Sequence, residues 1–311
     1  MGDEIRELAE FLTHEKAEVR LQAVEIVSGL AASNDGVLQL VKVTDLIIPG
    51  LLRLLGGNDQ EASAAAATLV NLSAVPQHSE AMIEGGLIGR IMELLRSKDC
   101  TQKKLLSMVL SNVTTVDKGA QRLCQENEGT KEGLWLAHVL SLFLSEQNDS
   151  DELAHLGNAL YNVCRTTVGR KLLLAPGTGY VRALLPQLKA ELPDRRLAAA
   201  ETIRNCCLDK EVSLSLLLNE AGPDFFPSLL QPISGKDPFE PDSRVRQAVA
   251  EAVEMIAGHS EGCGQLWAAG APELLRSGYA DEQVPGVCEA MERTAEAFNA
   301  RPDSELTQES R

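Results

Sequence analysis

The sequence predicts an all-α protein built as a stack of repeats, an α-solenoid, and three observations carry that expectation. Aromatic residues make up only 4% of the 311 residues, too few for the aromatic and β-branched surfaces of a sandwich or barrel. Leu and Ala dominate the apolar 44% instead, enough to build a core and favourable to helices. One packing pattern also returns six times at separations of 41–50 residues, the mark of a repeat array.

Each copy is registered on one residue: Gly29, Asn71, Asn112, Asn162, Asn205 and Met255. Two positions earlier stand Val27, Leu69, Leu110, Leu160, Ile203 and Val253, and six earlier Ala23, Ala65, Leu106, Leu156, Ala199 and Val249. One position later the residue is apolar again, and two later it is small: Ala31, Ser73, Thr114, Cys164, Cys207 and Ala257. Positions −6, −2 and +1 share one face of a 3.6-residue helix. A weaker seventh copy fits around Arg293, with Val287, Cys288, Met291 and Ala295 in the corresponding slots. Asp59, Ser150, Asp194 and Ser243 stand as the N-caps of four of these helices.

Before each long helix the sequence places a shorter one: LIIPGLLRLL (46–55), LIGRIMELL (87–95), LWLAHVLSLFL (134–144), YVRALLPQL (180–188) and FFPSLLQPI (225–233). Gly recurs ahead of these stretches, as in Gly85-Gly86, Gly177, Gly222 and Gly270. It suits the left-handed turn that ends one helix and releases the next at an angle. The string EGGLIGRIMELLRSKD resembles the junction of armadillo repeats, and TLVNLS resembles their third helix. The resemblance implies a right-handed armadillo/HEAT-like α-solenoid of about seven degenerate repeats over residues 1–300. The remaining 301–311 has no apolar face and is predicted to be a disordered tail.

Charge and composition then exclude function classes. Lys+Arg is 29 against Asp+Glu 45, a net charge of −16, so the chain repels phosphate overall and is not expected to bind nucleic acid. No stretch approaches the roughly 20 apolar residues of a membrane span. The acidic start, MGDEIRELAEFL, does not read as a signal peptide. The seven scattered cysteines suit a reducing compartment, and the expected location is cytoplasmic. The five histidines form no metal-ligand spacing, so no metal or cofactor is expected. Cys206-Cys207, the one adjacent pair, occupies packing slots, and no nucleophile, phosphate-loop or kinase signature occurs. No enzyme is expected.

The register asparagines are the candidate site. In armadillo proteins the equivalent ladder lines a concave groove and holds an extended peptide by its main-chain amides, for which a carboxamide offers both donor and acceptor. The alternative is that each Asn braces a neighbouring backbone, and both readings stay open at this point. Nuclear-import adaptors of the family add a Trp four residues before the Asn. Here that slot holds Ala67, Met108, Asn158 and Glu201, which disfavours that role.

A closer resemblance lies in RRLAAAETIRNCCLDKEVSLSLLL (195–218), DFFPSLLQPISG (224–235) and DSRVRQAVAEAVEMIAG (242–258). These are similar to the armadillo-type chaperone of eukaryotic translation elongation factor two, with Arg204–Cys207 (RNCC) the most specific element. The family's long acidic loop is reduced here to GKDPFEPDS. The resemblance implies a non-catalytic co-chaperone whose partners are elongation factor two and cytosolic chaperones. It implies a protein-binding ladder of Asn71, Asn112, Asn162, Arg204 and Asn205. A nucleotide-exchange factor of the seventy-kilodalton heat-shock protein, or a signalling scaffold, would share the fold.

Overall fold

The computed structural model describes residues 2–145 and 151–300. The expected tail 301–311 and the expected cap Ser150 lie outside the described residues. The described chain is helical throughout, with no strand among the described residues, and divides after Thr166 into two compact units.

Unit 1 comprises α1 (Gly2–Phe11), α2 (Ala17–Ala31), α3 (Asn34–Leu40), α4 (Thr44–Leu54), α5 (Asp59–Leu72), α6 (Pro76–Glu84), α7 (Leu87–Arg96), α8 (Lys103–Val113), α9 (Asp117–Cys124), α10 (Leu134–Ser145) and α11 (Leu156–Cys164). Unit 2 comprises α12 (Thr167–Leu173), α13 (Tyr180–Leu184), α14 (Pro193–Cys206), α15 (Ser213–Glu220), α16 (Phe225–Leu230), α17 (Ser243–Ala257), α18 (Ser260–Ala268), α19 (Ala271–Tyr279) and α20 (Pro285–Asn299). In unit 1 the register helices stack in the order α2, α5, α8, α11. In unit 2 they stack α14, α17, α20.

Burial of the −6 and −2 positions drives this stacking. Every residue named at those positions is buried, from Ala23 and Val27 to Val249 and Val253. The +1 positions follow except Leu30, which is half-buried in the first copy. In the seventh copy Val287 and Met291 are buried, while Ala295 is exposed. The junction glycines adopt the expected left-handed conformation where a Cβ would be strained: φ is +84° at Gly86 and +77° at Gly270.

Two of the expected caps fall one residue earlier, and a third is replaced by an uncapped start. Asn58 caps α5, accepting from the amides of Gln60 and Glu61, with Glu61 completing a capping box. Asp59 is the first helical residue. Asp242 caps α17 by accepting from Arg244 N at 2.9 Å, ahead of Ser243. α14 opens on Pro193 with no side-chain cap. Asp194 sits in its first turn, where a carboxylate complements the helix dipole.

One recurrent device holds successive repeats together. Nine residues before the register mark stand Arg20, Arg196 and Arg246. Each guanidinium donates to two carbonyls of the loop just before its own helix: His14 and Glu15, Ala190 and Glu191, Glu240 and Pro241. Each also pairs with a carboxylate farther along the chain: Glu61 at 2.8 Å, Glu240 at 2.7 Å and Glu282 at 2.7 Å. Loop and following repeat are thus tied to one planar cation, which a fork of five donors suits.

His78 on α6 adds a pH dependence to unit 1. It is fully buried, with Nδ1 3.1 Å from Thr44 Oγ1. The Thr44 hydroxyl also donates to Val41 O, and Nε2 is buried without a hydrogen-bond partner. Burial holds the imidazole below its ordinary 6.5. Below that pH the unfolded chain takes up a proton that the folded chain does not, so stability should fall as pH drops from 6.5. Urea midpoints across that range check this. A slope unchanged in His78→Leu would remove His78 as its cause.

Candidate protein-binding site

The unit 1 asparagines repeat one geometry. Asn112 Nδ2 donates to Val70 O at 3.3 Å and to Ser73 Oγ at 2.9 Å. Asn162 Nδ2 donates to Ser111 O at 3.1 Å and to Thr114 Oγ1 at 3.2 Å. In both cases the acceptors are the −1 carbonyl and the +2 hydroxyl of the preceding repeat. The two amide nitrogens are therefore spent on bracing one register helix against the last, and Asn162 is buried. Asn71 is exposed, and its side chain makes no such bond among the described residues. The first copy supplies Ala31 where the later ones supply Ser73 and Thr114, so the hydroxyl acceptor is missing.

Unit 2 arranges its ladder residues differently. Arg204 lies half-exposed on α14, donating to Glu251 Oε2 on α17 at 3.0 Å and to Asn205 Oδ1 at 3.1 Å. It also pairs with Glu201 at 2.9 Å. Burial pushes the Glu201 carboxyl up, with Arg204 opposing that shift and Glu251 adding to it. Asn205 is only 1% exposed and has further interactions inside the protein. Past the end of α14 at Cys206 stand Leu208, 50% exposed, and Val212, 46% exposed. These two apolar residues escaped the sequence reading. The signal was present, because Leu208 lies three positions after the register mark Asn205, outside the −6, −2 and +1 packing positions. Arg204 on α14 is thus a tethered cation of the kind enriched at interface hot spots, and the chain just beyond the helix leaves Leu208 and Val212 uncovered.

Cys206 and Cys207 are both fully buried. Burial raises the Cys207 thiol well above its ordinary value, with Cys206 adding to the shift, so it is not a thiolate nucleophile. Among the described residues no group of three or more His, Cys, Asp or Glu converges as metal ligands. No described helix is long and apolar enough to cross a membrane.

A family model described as a domain of unknown function (DUF383) matches residues 94–247. A Rattus norvegicus protein named Protein HGH1 homolog is 27% identical, the alignment covering 93% of this chain and 80% of that protein. A Dictyostelium discoideum protein of the same name is 23% identical over 78% of this chain and 69% of its own length. Among solved structures, an engineered protein aligns with a TM-score of 0.82 at 19% identity, covering 97% of this chain and 70% of that one. A designed armadillo repeat protein in complex with the peptide (KR)4 aligns with a TM-score of 0.66 at 16% identity, covering 81% of this chain and 99% of that one. The fold is that of an armadillo-type α-solenoid.

Proposed function

We propose that the chain is a non-catalytic, protein-binding solenoid that acts as a co-chaperone for translation elongation factor two, in the cytoplasm with the chaperones that receive the same client. The observation that carries this reading is the stretch around RNCC. It buries Cys206 and Cys207 as packing residues while holding Arg204 at the surface, so the element most specific to the resemblance is half core and half accessible. The likeness of most of the chain to proteins named HGH1 homolog is consistent with one shared architecture. The peptide carried by the designed armadillo neighbour supports protein binding as the use of this fold. The acidic net charge favours a partner surface of opposite sign and discourages like-charged partners.

Within this reading, Arg204 with Leu208 forms the client contact, Asn71 offers a free carboxamide in unit 1, and Asn112, Asn162 and Asn205 hold the register helices that present them. Calorimetric titration with purified elongation factor two tests it. Arg204→Glu and Leu208→Asp should each weaken binding about tenfold or more, equivalent to about 1.4 kcal/mol. Leu208→Asp should leave the melting temperature nearly unchanged, and Arg204→Glu, which loses its pairs with Glu201 and Glu251, is read on the folded fraction. Undiminished affinity in both variants would move the contact elsewhere on the chain. Absence of binding by the unsubstituted protein would end the co-chaperone assignment.

A further inference from the structure

Six of the register helices are followed by the same short device. α2, α5, α8, α11, α14 and α17 end one or two residues past their register marks, and α3, α6, α9, α12, α15 and α18 follow. Each short helix that can be checked lies hard against the end of the helix before it. A Cβ at Gly36, Gly119 or Gly262 would collide with the carbonyl of Leu30, Val113 or Ile256, and Ser79 Oγ donates to Ser73 O at 2.7 Å. One large apolar residue of every short helix is buried: Leu40, Met82, Leu123, Leu173, Leu217 and Leu266. These stand 11 residues past the mark, or 12 for Leu217. The small residue two past the mark is buried in all six copies.

The seventh copy departs from this pattern. α20 runs six residues past Arg293, to Asn299, and Ala295, two past the mark, is exposed. Ala295 lines a cleft of about 350 Å³ formed by α18, α19 and α20, together with Trp267, Leu275, Tyr279, Met291 and Phe298. Trp267 and Phe298 meet edge to face with ring centroids 5.7 Å apart, and Tyr279 is 42% exposed. The chain has only two Trp, three Tyr and six Phe, and one of each lines this cleft. Aromatic and Met side chains are what the centre of a buried contact favours. The Tyr279 hydroxyl donates to Glu292, whereas Arg276, which also lines the cleft, pairs with no carboxylate among the described residues.

We infer that residues 301–311 fold back onto this cleft and seat Leu306 in it, closing the end of the repeat array. This segment holds the place in the repeat that the short helices hold in the six earlier copies. Leu306 is its one large apolar side chain and stands 13 residues past Arg293, a displacement that matches the longer α20. The seven residues from Asn299 can span roughly 23 Å, well beyond the extra turn of α20, about 6 Å. Asp303 and Glu305 precede Leu306 and are opposite in sign to Arg276. The other residues of the segment are polar, as the outer face of a terminal repeat requires. The inference does not rest on the elongation-factor reading.

Acrylamide quenching of Trp267 fluorescence tests it, in the 311-residue chain carrying Trp135→Phe so that one indole is observed. Leu306→Ser should raise the quenching constant about twofold, because loss of the leucine admits water and quencher to the indole. The same change should shift the Trp267 indole N–H resonance, and Ser310→Ala should alter neither. Nuclear Overhauser contacts from the Leu306 methyls to the Trp267 and Phe298 rings are expected at every protein concentration. Quenching and resonance unmoved by Leu306→Ser would overturn the inference. Contacts that appear only as protein concentration rises would also overturn it, since a second copy would then fill the cleft.

Discussion

Arg246→Ala is expected to lower the stability of the protein by about 3–5 kcal/mol, the range for breaking a buried ion pair by removing one partner. The Arg246 guanidinium donates to both Glu282 oxygens, at 2.7 and 3.0 Å, and to the carbonyls of Glu240 and Pro241. It also stacks 5.2 Å over the Phe239 ring. The Glu282 side chain is only 5% exposed, and truncation of its partner would leave a desolvated carboxylate with only the amides of Gln283 and Val284 to hold it. Urea unfolding measures the loss.

Two further readouts follow from the same geometry. The Arg246 hydrogen bond holds the Glu282 carboxyl below its ordinary 4.5. Stability from this pair is therefore complete above that value and is lost as pH falls below it, because the unfolded chain then takes up a proton that the folded chain resists. That acid slope should shrink in Arg246→Ala. Arg246→Met combined with Glu282→Leu should recover much of the loss, since an apolar pair of similar volume leaves no buried charge. A cost below about 1 kcal/mol for Arg246→Ala would show that the pair is solvated like an ordinary surface bridge.

These arginines also mark where the sequence stops being informative. The core face of each register helix was legible because burial imposes a strict 3.6-residue spacing, and Val27, Leu69, Leu110, Leu160, Ile203 and Val253 all fall inside. The same logic found Gly86 and Gly270, whose positive φ leaves few other residues suitable. Arg20, Arg196 and Arg246 carry no comparable signal. Their acceptors are largely main-chain carbonyls, invisible in a sequence, and their carboxylates lie 41, 44 and 36 residues away. No fixed spacing announces the pairs. The caps slipped by one for a related reason: Asn58 and Asp242 precede residues equally able to cap, and only backbone conformation decides between them.

The asparagine ladder was legible in position but not in direction. A signal did exist. The +2 slot read as merely small, yet Ser73 and Thr114 carry hydroxyls in the two repeats that precede Asn112 and Asn162, and Ala31 precedes Asn71. Size and hydrogen-bonding capacity coincide in Ser and Thr, so a pattern of small residues concealed a row of acceptors.

That pattern predicts unequal costs along one ladder. Asn162→Ala should destabilise the protein by about 1–3 kcal/mol, because it removes two donated bonds from a buried site where no water replaces them. Thr114 Oγ1 would keep its own donation to Leu110 O, so the loss falls on the bracing between α8 and α11. Asn71→Ala should stay within about 0.5 kcal/mol, as at ordinary exposed positions, since no such bond exists to lose. A double-mutant cycle isolates the cause: Thr114→Val should make Asn162→Ala less costly, with a coupling of about 0.5–1.5 kcal/mol for the shared hydrogen bond. Equal, small costs at Asn71 and Asn162, with weakened client binding in both, would instead make the whole ladder a peptide grip. A large cost at Asn162 with no coupling to Thr114 would place its contribution in side-chain packing. Only a large cost at Asn162 that is coupled to Thr114, and absent at Asn71, matches a ladder whose amides face the preceding repeat.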